Sequence, residues 1–171
     1  MKRHKIIWFE LCEMLSKPQA VLLSKASLYA SLSTWLEANI GTFGPEISAV
    51  YGFDSYVNYD PSDYPTESCE FSAQEIIHRI ISLEPSSLDS VAMIIRDTLW
   101  DLIAYKSNRE CLNCGDDDFR VLYDGNLDRF VMSCDLCGCS VFDDGSQWLG
   151  DPELKPANVR QLKANGYLSS S

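Results

Sequence analysis

Four of the chain's seven cysteines fall into two copies of Cys-x-x-Cys-Gly: Cys111, Cys114 and Gly115, then Cys134, Cys137 and Gly138. Nineteen residues separate Cys114 from Cys134. Two cysteines three apart on a tight turn aim both thiolates at one point. The glycine that follows lets the backbone fold back without a Cβ clash. Two such hooks facing each other supply four sulfurs, the donor set of a tetrahedral zinc site. Four protein ligands leave no position for water or substrate, so the expected role of the metal is structural.

Other chemistry for these thiols fits less well. Two disulfides need an oxidising compartment. The chain opens Met1-Lys2-Arg3-His4-Lys5, and only Ile6 to Phe9 are apolar before Glu10. That run is too short for a signal-peptide core, and no apolar run reaches the length of a membrane span. The expectation is a cytoplasmic chain with no membrane partner. A redox Cys-x-x-Cys normally comes singly within a βαβ pattern, which is missing here. The paired hooks resemble rubredoxin, an iron carrier, but the loop between them is short and the rest of the chain differs. Cys139 lies two residues past Cys137 and is an alternative fourth ligand, though Cys-x-Cys strains the backbone. Cys12 sits in an apolar helical stretch and reads as a small core residue.

No catalytic constellation emerges. Of the two histidines, His4 lies near the terminus and His78 lies inside a helical segment, where a surface or half-buried position is expected. A zinc deaminase needs His-x-Glu, but His78 is followed by Arg79 and Ile80. His-Glu-x-x-His, the phosphate-binding Gly-x-x-x-x-Gly-Lys-Ser/Thr loop and the Gly-x-Ser-x-Gly elbow are all missing. The run Asp116, Asp117, Asp118 offers hard-cation ligands. Consecutive aspartates on a loop rarely converge on one ion, so a solvated acidic turn is expected instead. The chain reads as a non-enzyme.

The formal net charge of −11 is unevenly placed. Residues 1–30 carry five Lys/Arg against two Asp/Glu, and residues 31–110 carry four against thirteen. Between 111 and 150 only Arg120 and Arg129 oppose eight aspartates. A tetrathiolate zinc centre adds about two further negative charges. Phosphate binding rests on Lys and Arg, so nucleic acid is excluded as the expected partner. A field of this sign attracts basic protein surfaces.

The elements that must carry these residues change character along the chain. Apolar residues at Ile6, Ile7, Phe9, Cys12 and Leu15 predict a helix over residues 2–15. Ser16 is the expected N-cap of a second helix from Pro18 to Asn39, with Val21, Leu22, Leu28, Tyr29, Leu32, Trp35, Leu36 and Ile40 inward and Gly41 and Gly44 ending it. A short helix after Pro45 is allowed. Residues 41–70 then hold three prolines, four tyrosines and six acidic residues without a Lys or Arg. From Asp54 to Glu70 they read as an exposed, Tyr-rich acidic loop, with Asp54, Tyr56, Tyr59, Asp60 and Asp63 as candidate partner contacts together with Asp116, Asp117 and Asp118. Ser72 with Glu75 forms a capping box for a helix through Leu83, stopped at Pro85. A further helix covers about Leu88 to Lys106.

After Arg109 the pattern becomes that of strands. Phe119–Tyr123 and Leu127–Ser133 flank an Asp124-Gly125-Asn126 turn signal, and Ser140–Phe142 adds a third strand. Pro156 marks the start and Gly166 the end of a short tail helix. Hook, hairpin, hook and strand is a zinc-ribbon arrangement. The expected fold is α+β: a helical bundle at 1–108, including the acidic segment, and a zinc-ribbon module with a short C-terminal helix at 109–171. The hairpin is expected to lack a core of its own.

In general character the chain resembles immunity proteins of bacterial toxin systems, in particular those paired with contact-dependent growth inhibition toxins. The resemblance rests on a small, acidic, helical chain without a catalytic motif, carrying Cys111-Leu-Asn-Cys114-Gly115 and Cys134-Asp-Leu-Cys137-Gly138. It implies a cytoplasmic inhibitor that binds one cognate toxin, with a basic nuclease as the expected target. The alternative is a zinc-ribbon adaptor or regulator of a transcription or translation component.

Overall fold

The computed structural model describes residues 2–17, 23–150 and 154–169. It is an α+β chain of two compact units. The first comprises Met1–Pro61 and Glu70–Leu102, and the second Ser62–Cys69 and Ile103–Ser171. No helix among the described residues is long and apolar enough to cross a membrane.

The first unit is helical. Helix α1, Arg3–Leu15, buries His4, Ile7, Trp8, Leu11 and Leu15. The inward stripe is therefore rotated from the one expected: Ile6 and Phe9 are exposed, and His4 is buried. Trp8 carries polarity into the core by donating its indole N–H to the carbonyl of Leu83 at 3.1 Å. Ser16 closes α1 rather than opening the next helix. Helix α2, Lys25–Tyr51, is capped by Ser24, whose hydroxyl accepts from the Ser27 N–H. The expected helix start at Pro18, with Val21 and Leu22, lies outside the described residues.

Gly41 does not end α2. The helix breaks at Gly44, whose φ of 81° suits only glycine, and resumes at Pro45. A proline costs nothing in a first turn, where its N–H has no acceptor. Gly52 ends the second leg at φ 65° and leads directly into α3, Phe53–Asn58. Trp35, Phe43 and Phe53 stack edge to face across these breaks, at 6.3 and 5.1 Å between neighbouring ring centroids. The segment expected as a loop thus holds a helix. The chain then runs through two single 3₁₀ turns at Pro61–Asp63 and Thr66–Ser68, which apart from Pro61 belong to the second unit. Helix α4, Ala73–Ser82, carries the Ser72–Glu75 capping box, and α5 spans Leu88–Ile103.

The second unit is a five-stranded antiparallel sheet. Its strands are β1 Tyr105–Lys106, β2 Phe119–Asp124, β3 Arg129–Cys134, β4 Ser140–Phe142 and β5 Leu154–Pro156. They lie in the order β1-β2-β3-β4. β5 pairs with the Asp124 half of β2 and β1 with its other half. Tyr105 and Lys106, expected in helix, instead form an edge strand. Pro156, expected to start a helix, ends β5. The tail helix α6, Val159–Ala164, starts after Asn158, which forms a capping box with Gln161. Gly166, at φ 76°, closes it. The hairpin turn is longer than a two-residue Asp-Gly turn. Asp124 faces Arg129, leaving residues 125–128 as the loop. One Asp124 oxygen accepts from the N–H groups of Asn126 and Leu127, and the other accepts from Trp148 Nε1 at 2.9 Å.

This unit has a core, contrary to the expectation of a bare hairpin. Register puts Phe119 opposite Cys134, Val121 opposite Met132 and Tyr123 opposite Phe130. Period-two alternation sends these six to one face. They pack with Cys111, Ala157 and Leu162, bordered by Tyr105 and Tyr167.

Candidate metal centre

The two hooks are one structure built twice. In the first, the Gly115 N–H donates to the carbonyl of Cys111 at 2.8 Å, and the Cys111 N–H donates to the carbonyl of Asp116 at 2.7 Å. In the second, Gly138 donates to Cys134 and Cys134 to Cys139, each at 2.9 Å. Gly115 and Gly138 have φ of 75° and 69°, so each hook needs its glycine. β3 delivers Cys134 to the core face of the sheet, and Cys111 is buried beside it. Cys114 and Cys137 are exposed.

The four sulfurs all lie within 4.8 Å of one another. Two approaches run between hooks at 3.6 Å: Cys111 to Cys137 and Cys114 to Cys134. Tetrahedral zinc with bonds of about 2.3 Å sets its sulfurs about 3.8 Å apart, whereas a disulfide requires about 2.05 Å. All four are free thiols, and the donor set fits one metal ion. The cluster contains Cys137 and not Cys139. Cys139 serves through its backbone, accepting from Cys134 and donating its N–H to the Cys137 sulfur.

Proton affinity is unequal within the cluster. The Asn113 side chain and the Cys139 N–H both donate to Cys137 and hold it down at about 6. At Cys114 the Asp116 N–H favours the thiolate, but desolvation and hydrogen bonds shared with the other three thiols push it up to about 12. Burial raises Cys134. Crowded thiols cannot all ionise together, and a bound cation removes that conflict.

Sequence reasoning missed the residue that joins the hooks. Arg120, 7% exposed on the opposite face of β2, donates from Nε to Asp135 at 3.1 Å. It also pairs with Asp118 at 2.9 Å and donates to the carbonyl of Ala104 at 3.2 Å. Asp135 lies inside the second hook and Asp118 follows the first, so one guanidinium ties both. The signal in sequence was an arginine alternating with Phe119 and Val121, a buried-strand pattern that one charge interrupts.

The candidate partner contacts divide. Asp54, Asp60 and Asp63 are exposed. Tyr56 is 7% exposed and its carbonyl accepts from the Tyr29 hydroxyl at 2.8 Å, so its ring is a core group rather than a contact. Tyr59 is half-buried, and burial raises its phenol. Asp116 accepts from the Asp118 N–H, Asp118 pairs with Arg120, and Asp117 pairs with Lys106 at 3.6 Å. The aspartate run therefore shapes the turn and is partly neutralised in place. Of the three, Asp117 is the most exposed. Two apolar residues stand out in the same hooks: Leu112 is 92% exposed and Leu136 68%.

No family model matches the chain, no curated protein matches it, and no solved structure matches its fold.

Proposed function

We propose that this chain is an immunity-type inhibitor that binds and neutralises a basic protein toxin, a nuclease by preference, through acidic surface. In this reading zinc holds Cys111, Cys114, Cys134 and Cys137 as a ribbon, and the metal is structural. The observation that carries the reading is the charge: −11 over 171 residues, with Asp54, Asp60, Asp63 and Asp117 on the surface. A nuclease presents a basic cleft to phosphate, and an acidic surface competes for that cleft. Long-range attraction speeds capture, which is what an inhibitor of an incoming toxin requires. Leu112 and Leu136 support a protein partner, because exposed apolar groups beside carboxylates suit a protein surface and not a phosphate backbone.

The test is a stopped-flow or biosensor series against a basic nuclease toxin whose gene adjoins this one, at several salt concentrations. Association slows as salt rises. Asp60→Lys with Asp63→Lys slows association more than it changes dissociation, as exposed rim charges do. Direct binding of the chain to DNA or RNA, or failure to bind the toxin, overturns the proposal. The adaptor reading then takes its place.

A further inference from the structure

The acidic character of the chain reverses at α1. Lys2, Arg3 and Lys5 surround the start of this helix, and its first turn holds no acidic residue. Lys2 occupies the N-cap position without a side-chain hydrogen bond, so the helix start is not capped by its own sequence. Uncapped N–H groups and the positive end of the helix dipole favour an anion there.

A second feature of the same unit points to a ligand. Beside this helix start lies a groove of about 680 Å³, within the size range of small-molecule sites. Lys2, His4 and Lys5 line it. His4 is only 8% exposed, and among the described residues it makes no hydrogen bond. An imidazole lining the groove has at least one N–H to offer a ligand. Neither Lys2 nor Lys5 forms an ion pair among the described residues.

The rest of the groove is apolar. Phe9, Ile81 and Leu83, respectively 64%, 39% and 43% exposed, line it. They are three of the ten exposed large apolar side chains among the described residues, gathered at one place. Glu84 also lines the groove and opposes a second negative charge.

We infer that the groove between α1 and the end of α4 binds a small amphipathic monoanion, its carboxylate held by Lys2, Lys5 and His4 and its apolar body laid along Phe9, Ile81 and Leu83. The site is independent of the metal centre and of the toxin reading. Each component of the ligand has a matching component in the wall: cations and an imidazole for the head, exposed hydrocarbon for the tail.

Isothermal titration of the full chain with decanoate tests this, with decanol and inorganic phosphate as half-ligands. Decanoate is expected to bind at one site per chain, at least about tenfold more tightly than either control. Lys2→Glu with Lys5→Glu, both on the surface, weakens decanoate by about tenfold or more while leaving decanol unchanged. Phe9→Asp weakens decanoate and decanol together. Equal binding of decanoate and decanol, equal binding of decanoate and phosphate, or indifference to the double lysine reversal each overturns the inference. So does a failure to bind millimolar decanoate. Capture of the chain by anionic vesicles without competition from decanoate assigns the groove to a membrane surface and also overturns it.

Discussion

Of the twelve largest fully buried side chains among the described residues, eleven lie in the helical unit and one, Ile103, in the sheet unit. The helical unit stands on apolar burial: Leu28, Tyr29, Leu32, Leu36 and Phe53 are wholly inside. The sheet unit has a smaller core, and two of its members, Cys111 and Cys134, belong to the four-cysteine cluster. In one unit the core is complete without chemistry. In the other, core and metal centre share residues, so whatever the sulfurs do is felt by Phe119, Val121 and Met132. Small metal-binding modules draw much of their folding energy from the ion.

The largest expected effect breaks this contrast at the metal. Cys134→Ser removes one of the four clustered thiols and puts a hydroxyl into the core. Metal binding contributes on the order of 10 kcal/mol in small zinc modules. Hydrogen exchange on the full chain should show protection lost across β2 and β3 and retained in α2 and α5. Protection lost equally in the helices would show one cooperative core instead of two. The reciprocal change is Leu32→Ala. It opens a cavity where the side chain is fully buried and should cost about 2–5 kcal/mol in the helical unit. Zinc content should stay unchanged.

Next in size is Arg120→Met. It keeps the volume and removes the clamp on Asp118 and Asp135. Both carboxylates retain about a third of their exposure, so water screens the loss. A stability cost of about 1–3 kcal/mol is expected. Zinc affinity should fall about 10–100-fold, as it does when groups orienting ligands are removed. Competition with a chelating dye reads the affinity, and an unchanged value would reduce Arg120 to a packing residue.

Two glycines in α2 separate backbone freedom from packing. Gly41→Ala meets nothing within 4 Å and should stabilise the helical unit by about 0.5–1 kcal/mol. Gly44→Ala forces a side chain into φ 81° and should destabilise it by about 1–2 kcal/mol. Urea titration distinguishes the signs.

The helical unit was the more legible because its information is periodic. Ser72 with Glu75, and the spacing of Leu28, Leu32 and Leu36, act within one or two turns of helix and need no distant partner. The rotated face of α1 escaped because Ile6, Ile7, Trp8 and Phe9 are consecutive apolar residues, and period alone cannot choose among them. Tyr105–Lys106 escaped because a two-residue edge strand exists only through its pairing with β2. The clustering of Cys111, Cys114, Cys134 and Cys137 was legible because the two hooks fix both residue type and spacing. Arg120 and Asn113 were not, since their roles depend on which loops the sheet brings beside them. The residues from 54 to 58 read as loop because their helix is short and is stabilised from outside, by burial of Phe53 and Tyr56.

Acid should produce the smallest effect, again in the sheet unit. Hydrogen bonds from Ser146, with Arg129 alongside, hold the Asp144 carboxyl at about 2, below its ordinary 3.8. Trp148 and the N–H groups of Leu127 and Asn126 lower Asp124. A depressed carboxyl stabilises the fold above its unfolded value, and that contribution fades as pH falls below 3.8 toward 2. Indole resonances followed from pH 5 downward should show Trp148 released only below 3.8, the ordinary carboxyl value beneath which Asp124 is held. Release beginning well above pH 4 would assign it to loss of metal, because protons compete for the thiolates.

Four particular sulfurs are expected to hold one metal ion, and the sheet unit is expected to depend on it. Native mass spectrometry with elemental analysis tests this most directly. One zinc per chain is expected, lost on replacing any one of Cys111, Cys114, Cys134 or Cys137 with serine and retained in Cys12→Ser and Cys139→Ser. Folded chain without metal, zinc that survives Cys137→Ser but not Cys139→Ser, or a disulfide among the four would contradict it.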